Sequence, residues 1–426
     1  MNNCLFIGVD VALKGNQFCV MNFDQHVYFN LKFSNNPEGN NLVINKIKEI
    51  EDKFFFEKVI FVMEATGMYS FHPACYFSSN EYLNSFNTEV YLINPCDFKS
   101  YKKSFHDLEK EDGVDAYVLA DFARVGRTKP LYPFRGSQYI ALQRLTRQRY
   151  HLCNSLIREK TYVLNNLYLS FSGLVCANKD DKPFSDMFGA TSSALLEQFV
   201  SPDQIAESSL EELIDFISEK GKNHTKNPDE KVTLLKKAIR SSYRLDQTAY
   251  EPINIAIASS LNTIRFYQKQ LNVLDKTILR TAIGLDSNTY NILLSIRGIG
   301  KVYAAGIMAE IGNIDRFQHN SKLAKYSGLY WKRNQSGEYD STDKKSSKKS
   351  NKYLRYYLVE AANSCKMQGF PFIRDYYIQK YNEVNKHQHK RALVLSARKL
   401  ERLIFGLLRK GQYYKPVNSV HNDDCN

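Results

Sequence analysis

The pattern of apolar and polar positions changes character along the chain. Up to about residue 130, short apolar runs alternate with helical segments. The pattern predicts strands near 4–11, 16–23, 26–32, 58–63 and 90–94, with helices near 39–52 and 112–126. Three consecutive strands before the first helix indicate an antiparallel meander that opens an α/β domain.

From about residue 135 the apolar period becomes helical. Leucines and a valine recur at helical spacing over 135–172, with arginines such as Arg144 and Arg147 between them. This predicts a long amphipathic helix that can pair as a coiled coil. Residues 173–235 are polar and indicate short helices and loops, and a second long helix near 245–282 is expected to run antiparallel to the first. One interpretation of this helical region is a spacer that only sets the distance between two active domains. The other interpretation adds oligomerisation and contacts between the arginines and the RNA or DNA backbone.

Four carboxylates lie at the ends of predicted strands and at the start of a predicted helix. Asp10 ends the first apolar strand and Glu64 ends the strand at 58–63. Asp112 and Asp115 follow at a spacing of three, which places both on one face of a helix. Each carboxylate alone is explained as a strand end or a helix cap. All four in this order favour a nuclease-like site that holds Mg²⁺ or Mn²⁺, because clustered carboxylates need a hard cation between them.

The carboxyl-terminal third carries basic and glycine-rich motifs. The segment IRGIGKVYAAGIMAEIG predicts two helices joined by a turn at Gly298 and Gly300, and Lys301 follows the turn. The backbone N–H groups of such a turn can hold a phosphate. Downstream, residues 342–355 contain six basic residues and one acidic residue in a serine-rich run, which predicts a mobile basic loop. Such a run is usually a solvated surface, but a serine beside a glycine in a basic loop can also present a nucleophile to a phosphodiester.

Composition agrees with a partner that is a polyanion. The 426 residues carry a net charge of +13, and the isoelectric point is near 9.1. No apolar run of ~18 residues and no signal peptide is found, so we expect a cytosolic protein without a membrane partner. The eight cysteines lack metal-site spacing, and we expect reduced thiols.

The quoted segments resemble a known family. The GVD strand, the MEATG strand end and the KEDGVDA helix are similar to the RuvC-like amino-terminal domain of the DEDD transposases of IS110-type insertion sequences. LLSIRGIGKVYAAGIMAEIG, the LAKYSGL helix, the SG pair at Ser336 and the SKKSNKYLR segment are similar to the family's carboxyl-terminal transposase domain. RGIG in place of PGIG and SKKSN in place of a Gly-Asn pair depart from the usual family pattern. The match covers roughly half of the chain and brackets it at both ends.

The resemblance implies a fold and a set of functional residues. We expect a ribonuclease-H/RuvC-like α/β domain over 1–130, a helical coiled-coil region with a polar insert over 131–285, a mainly α transposase domain with a helix-hairpin-helix-like element over 286–415, and a disordered tail over 416–426. Asp10, Glu64, Asp112 and Asp115 would hold Mg²⁺ or Mn²⁺, and Ser336 would be the nucleophile, with Ser346, Ser347 and Ser350 as alternatives. Nucleic-acid contacts are expected at Gly298, Gly300, Lys301, Lys344, Lys345, Lys348, Lys349, Asn351, Arg355, Arg144 and Arg147.

The resemblance also implies partners. These are donor and target DNA and a structured noncoding bridge RNA. Because strand exchange needs several breaks held together, we also expect the chain to pair through its long helical segment, as a dimer and as a tetramer on DNA. The favoured function is a bacterial, nucleoid-associated DNA transposase. A metal-dependent junction resolvase without serine chemistry and a catalytically inactive nucleic-acid-binding protein are the alternatives.

Overall fold

The computed structural model describes residues 3–65, 67–105, 113–128, 131, 133–134, 138–222, 226–331, 335–336, 339–340 and 350–416. The chain divides into two compact units, one drawn from 1–141, 291–299 and 310–426 and the other from 142–290 and 300–309. The predicted tail over 416–426 lies outside the described residues except for Pro416.

The amino-terminal part of the first unit is a five-stranded mixed sheet with helices. In chain order the elements are β1 (Cys4–Val11), β2 (Gly15–Met21), β3 (Val27–Ser34), α1 (Pro37–Glu51), β4 (Lys58–Glu64), α2 (Phe71–Ser79), α3 (Glu81–Asn84), β5 (Glu89–Ile93), α4 (Pro95–Lys102) and α5 (Val114–Arg124). The strand order is β3-β2-β1-β4-β5. β1, β2 and β3 pair antiparallel, whereas β4 is parallel to both β1 and β5. The predicted meander and the predicted α/β character are therefore confirmed.

Alternation along β1 separates two cores, one on each face of the sheet. Leu5, Ile7 and Val9 pack with the apolar side of α1 and with α2. Cys4 and Phe6 point to the opposite face, where α5 supplies most of the helical core. Because both faces are covered at β1, β2 and β4, these strands are mostly buried and rich in apolar residues, and this made them readable from the sequence.

Helices α2, α3 and α4 are not among the helices that the sequence pattern predicts over 1–130. α4 buries only Phe98, so it has no apolar period to detect. Its start does carry a signal, since the Asn94 side chain accepts a hydrogen bond from the Cys96 backbone N–H and Pro95 occupies the first helical turn.

The second unit is helical. Its elements are α6 (Ile140–Ser170), α7 (Ser172–Cys176), α8 (Ala190–Gln198), α9 (Pro202–Glu207), α10 (Leu210–Lys220), α11 (Pro228–Arg240) and most of α12 (Gln247–Leu294). The Arg149 Nε, in the first half of α6, donates a hydrogen bond to the Asp275 carboxylate, in the second half of α12, at 2.5 Å. Later residues of α6 share a core with earlier residues of α12, so the two helices run antiparallel as expected.

The polar insert forms a folded part of this unit. Helices α10 and α11 place Leu213, Ile217 and Leu235 in the core that α6 and α12 also line. α12 is longer than the predicted helix at 245–282 and bends at Asp286, whose backbone leaves the helical region. The Asp286 side chain accepts a hydrogen bond from the Thr289 backbone N–H at 2.9 Å and so caps the last segment of α12.

The carboxyl-terminal part of the chain is mainly helical, as expected. It comprises α13 (Lys301–Ile311), α14 (Asn320–Ser327), β6 (Gln335–Ser336), β7 (Tyr339–Asp340), α15 (Lys352–Met367), α16 (Pro371–Asn382) and α17 (Gln388–Lys410). α15, α16 and α17 pack against one another, and α14 packs on α15 and α17. Among the helices that the structure describes, none has the length and apolar content to cross a membrane.

Candidate functional site

Asp10 and Glu64 lie at the ends of two neighbouring parallel strands. The register pairs Gly8 with Val62 and Val9 with Met63, and the next positions along β1 and β4 are Asp10 and Glu64. Both carboxylates therefore leave the sheet at its carboxyl edge, where α/β enzymes place functional groups.

The two carboxylates also belong to the same face of the sheet. Cys4 and Phe6 on β1, and Ile60 and Val62 on β4, all face the core that α5 covers. Since side chains alternate along a strand, Asp10 and Glu64 continue these two rows toward α5.

α5 approaches this face closely because β1 has a glycine there. A Cβ on Gly8 would lie 1.9 Å from the Ala116 carbonyl oxygen, so any other residue would push α5 away from the sheet. Asp115 precedes Ala116 in the first turn of α5 and is therefore held at the level of Gly8, two residues before Asp10. The Lys102 ammonium, at the end of α4, forms an ion pair with the Asp115 carboxylate.

Asp112 lies outside the described residues, but its neighbour is anchored. The Asn30 side chain on β3 donates a hydrogen bond to the Gly113 carbonyl at 3.1 Å, and it accepts one from the Gln17 side-chain amide at 2.8 Å. Gln17 is the residue of β2 that pairs with Asp10. A chain of polar contacts therefore links the strand position opposite Asp10 to the residue after Asp112.

These carboxylates do not form a complete metal site among the described residues. Within that part of the chain, no three His, Cys, Asp or Glu side chains are grouped closely enough to hold an ion. The structure places Asp10 and Glu64 at one edge and one face of the sheet, and Asp115 in the first turn of the helix that covers that face. The predicted fourth ligand, Asp112, lies outside the described residues. All the donors are carboxylate oxygens, which fit a hard divalent cation rather than zinc.

The predicted turn at Gly298 is present between α12 and α13. Gly298 has φ +95°, and a Cβ there would lie 2.4 Å from the Cys365 Cα, so this glycine is needed for the turn and for packing against α15. Gly300 has open space at its Cβ position, and Lys301 is exposed at the start of α13. Of the predicted phosphate contacts at this turn, Gly300 and Lys301 are thus the accessible ones.

The predicted nucleophile and basic loop are described only in part. Ser336 lies in the two-residue strand β6, which pairs with β7. Two of the alternative serines and four of the lysines predicted to bind nucleic acid lie outside the described residues; these are Ser346, Ser347, Lys344, Lys345, Lys348 and Lys349. Asn351 and Arg355 are described, and both make several hydrogen bonds within the protein.

Arg144 and Arg147 lie on α6, where Arg144 is exposed and Arg147 is half-buried. Arg149, on the same helix, is paired with Asp275. The spacing of arginines on a helix does not distinguish a surface cation from one that joins two helices.

The described cysteines are free thiols. Burial raises the pKa of the Cys4 thiol to about 11 and those of Cys19 and Cys365 to about 12, so these thiols stay protonated and unreactive. This agrees with the expectation of reduced cysteines.

Carboxylates at a sheet edge, in one chain with a basic helical region, are typical of enzymes that act on nucleic acid. Residues 7–172 match the DEDD family of IS110 transposases, described as "Transposase", and residues 290–378 match the "Transposase IS116/IS110/IS902 family". The chain belongs to the IS110-type insertion-sequence transposases and is a DNA transposase.

A curated relative supports the same assignment. The "Insertion element IS116 uncharacterized 44.8 kDa protein" of Streptomyces clavuligerus is 24% identical over 317 residues, which span 73% of this chain and 74% of the relative.

Sequence reasoning missed four residues that surround the predicted ones: Asn30, Lys102, Glu310 and Tyr326. Each acts through a contact between distant parts of the chain; the Asn30 contact, for example, spans 83 residues. Local spacing carries no signal for such contacts.

Proposed function

We propose that this transposase cleaves and rejoins DNA strands with two sets of residues: the carboxylates Asp10, Glu64, Asp112 and Asp115, and the nucleophile Ser336. The observation that carries the proposal is the shared edge and face of Asp10 and Glu64, together with the close approach to that face of α5, whose first turn contains Asp115. The strand order and the antiparallel start of the sheet support a ribonuclease-H/RuvC-like domain.

The carboxylates are suited to Mg²⁺ or Mn²⁺. Asp10 and Glu64 would hold the ion from the strand ends, and Asp112 and Asp115 from the start of α5. When bound, a divalent ion supplies charge stabilisation at a phosphodiester and orients the scissile phosphate. Asn30 and Gln17 would keep the start of α5 in place, and Lys102 balances the charge of Asp115.

Ser336 would provide the covalent step. Its Oγ forms a bond to the scissile phosphorus, the bond from phosphorus to the deoxyribose oxygen breaks, and the serine proton ends on the released sugar hydroxyl. The phosphoserine link retains the energy of the broken bond, so a second sugar hydroxyl can reverse the step on another strand.

Sequence choice would rest on a bridge RNA. Contacts to the nucleic-acid backbone that do not read bases would come from Gly300 and Lys301 at the turn, from Arg144 and Arg147 on α6, and from the basic residues after Ser336. Base pairing between the RNA and the donor and target DNA would then select the sites.

We propose that chains assemble as a dimer, and as a tetramer on DNA, through the antiparallel α6 and α12. In such an assembly the carboxylates of one chain can complete a site with Ser336 of another. Mixing Asp10→Asn protein with Ser336→Ala protein should restore partial activity. If the mixture is inactive although the chains co-assemble, each chain completes its own site.

A recombination assay with the copurified RNA tests the function. We expect purified protein, with Mg²⁺ and DNA carrying the element's ends, to give rejoined product, and ribonuclease treatment to remove it. Nicking without rejoining would favour the junction resolvase. Binding without any cleavage would favour the inactive nucleic-acid-binding protein.

A further inference from the structure

The segment between α14 and α15, which contains Ser336, begins and ends at one place in the fold. The Arg355 guanidinium joins the two ends. Its Nε donates to the Ser327 carbonyl and an Nη to the Gly328 carbonyl, both at 3.2 Å, at the point where α14 ends. An Nη also donates to the Ser350 hydroxyl at 2.7 Å, just before α15 begins.

Gly328 is the residue that admits this guanidinium. Its φ is +73°, and a Cβ at this position would lie 1.9 Å from the Arg355 Nη2 atom. Any side chain here would be strained and would displace the arginine.

Asn351 makes a second connection. Its backbone N–H donates to the Tyr326 carbonyl at 2.7 Å. Its side-chain amide donates to the Tyr326 hydroxyl at 2.9 Å and to a Glu310 carboxylate oxygen at 2.7 Å. Its side-chain oxygen accepts from the Tyr353 and Leu354 backbone N–H groups and caps α15. Both amide hydrogens and both lone pairs therefore have partners within the protein.

Glu310 fixes the direction of that amide. It is 1% exposed, at the end of α13. A buried carboxylate requires hydrogen-bond donors, and Asn351 supplies one. The amide is thus held in the orientation that caps α15.

From these contacts we infer that Arg355 and Asn351, oriented by Glu310 and Tyr326, are positioning residues that hold the two ends of the Ser336 segment together, rather than DNA contacts. The inference rests on the proposed role of Ser336 as the nucleophile. Fixing both ends limits the positions open to Ser336, and small displacements of a nucleophile cost roughly 10- to 100-fold in rate.

Exchanging the amide of Asn351 and the carboxylate of Glu310 tests the inference. Asn351→Asp keeps the helix cap but places a second carboxylate against Glu310. We expect adduct formation at saturating DNA to slow at least about tenfold, with the Kd for DNA unchanged within about twofold. Adding Glu310→Gln supplies an amide donor to the new carboxylate, and most of the lost rate should return. Asn363→Asp introduces the same charge on α15 and serves as the control.

Arg355→Lys provides an independent variant, because it keeps the charge but replaces the planar fork of the guanidinium, whose Nε and Nη2 reach three separate acceptors, with a single compact ammonium. We expect it also to lose rate and not affinity, while Arg374→Lys, on the exposed side of α16, changes neither. A loss of DNA affinity in Asn351→Asp, or a double variant as slow as the single one, would overturn the inference.

Hydrogen exchange separates this inference from the proposed function. If wild-type protein forms no adduct, the function of Ser336 is wrong. The connection between the ends still predicts slow exchange at the Asn351 backbone N–H in the wild type and faster exchange in Arg355→Lys. Equal exchange in both proteins would contradict it.

Discussion

The amino-terminal sheet region and the carboxyl-terminal helices carry opposite charge. Residues 1–130 contain 17 Asp and Glu and 13 Lys and Arg, a net charge of −4, whereas residues 350–416 contain 4 acidic and 14 basic residues, a net charge of +10. The difference separates two tasks. A site for a divalent cation needs carboxylates in a field that does not repel the cation, and a surface for DNA or RNA needs the reverse.

The carboxylates should matter for chemistry and not for binding. Asp10→Asn and Glu64→Gln each remove a negative ligand without changing side-chain size, and cleavage should fall by about 10³-fold or more. Affinity for DNA should stay within about twofold, because binding rests on the basic regions. Cleavage is measured on a labelled substrate and affinity by gel shift, with Asp24→Asn in the exposed β2–β3 turn as the control. Substantial cleavage by either variant would contradict the site.

The basic segment should show the opposite behaviour. A variant that replaces four lysines by alanine should reduce the slope of log Kd against log salt by about four, one per lost phosphate contact; the four are Lys344, Lys345, Lys348 and Lys349. A matched variant takes four lysines from the sheet region, namely Lys46, Lys48, Lys53 and Lys99. Its slope should change by less than about one. Equal slopes for the two variants would show that the charge difference does not direct binding.

Asn30 tests whether the carboxylate site depends on the start of α5. Asn30→Ala removes the hydrogen bond to the Gly113 carbonyl. The Mg²⁺ concentration for half-maximal cleavage should then rise by about tenfold, because removing a residue that orients metal ligands lowers metal affinity by about that factor. Cleavage at saturating Mg²⁺ should change less. Asn87→Ala, in an exposed loop before β5, is the control. An unchanged Mg²⁺ requirement would mean that the Asn30–Gly113 hydrogen bond stabilises the fold but does not position the metal ligands.

Sequence and structure agree most closely on the sheet and least on what connects distant elements. Strands β1 and β4 were predictable because burial on both faces leaves apolar runs, and Asp10 and Glu64 were predictable because they interrupt those runs at their ends. The short helices of the insert were predicted, but their packing into the core of the second unit was not, since the buried positions are spread over short helices in a polar composition. Asn351 and Arg355 were predicted as nucleic-acid contacts from charge and motif alone. Their hydrogen bonds to Tyr326, Ser327 and Gly328 depend on chain reversal that local patterns do not encode.

The basic helices contain a buried carboxylate with its own pH dependence. Burial raises the pKa of Glu401 to about 7, and Arg398 and the Ser327 hydroxyl only partly offset this effect. Since the folded pKa lies above the unfolded value, ionisation destabilises the fold. Stability should be highest below about pH 4.5 with respect to this group and should fall by about 3 kcal/mol as pH rises through 7.

Glu401→Gln should remove that dependence. Unfolding by denaturant between pH 4.5 and 8 measures it, with wild type and variant compared at each pH. The variant has no carboxyl to ionise, so the difference in unfolding free energy between the two proteins should change across this range. A constant difference would mean that Glu401 titrates at its ordinary value.

The measurement that tests the central claim most directly is the covalent adduct. DNA carrying the element's ends is incubated with the protein and Mg²⁺, the mixture is denatured, and the protein–DNA link is mapped by mass spectrometry. The account predicts a phosphodiester to Ser336 that is absent in Ser336→Ala and in Asp10→Asn, because the two sets of residues act in one reaction. Strand cleavage that persists in Ser336→Ala, or an adduct that forms in Asp10→Asn at the wild-type rate, would contradict it.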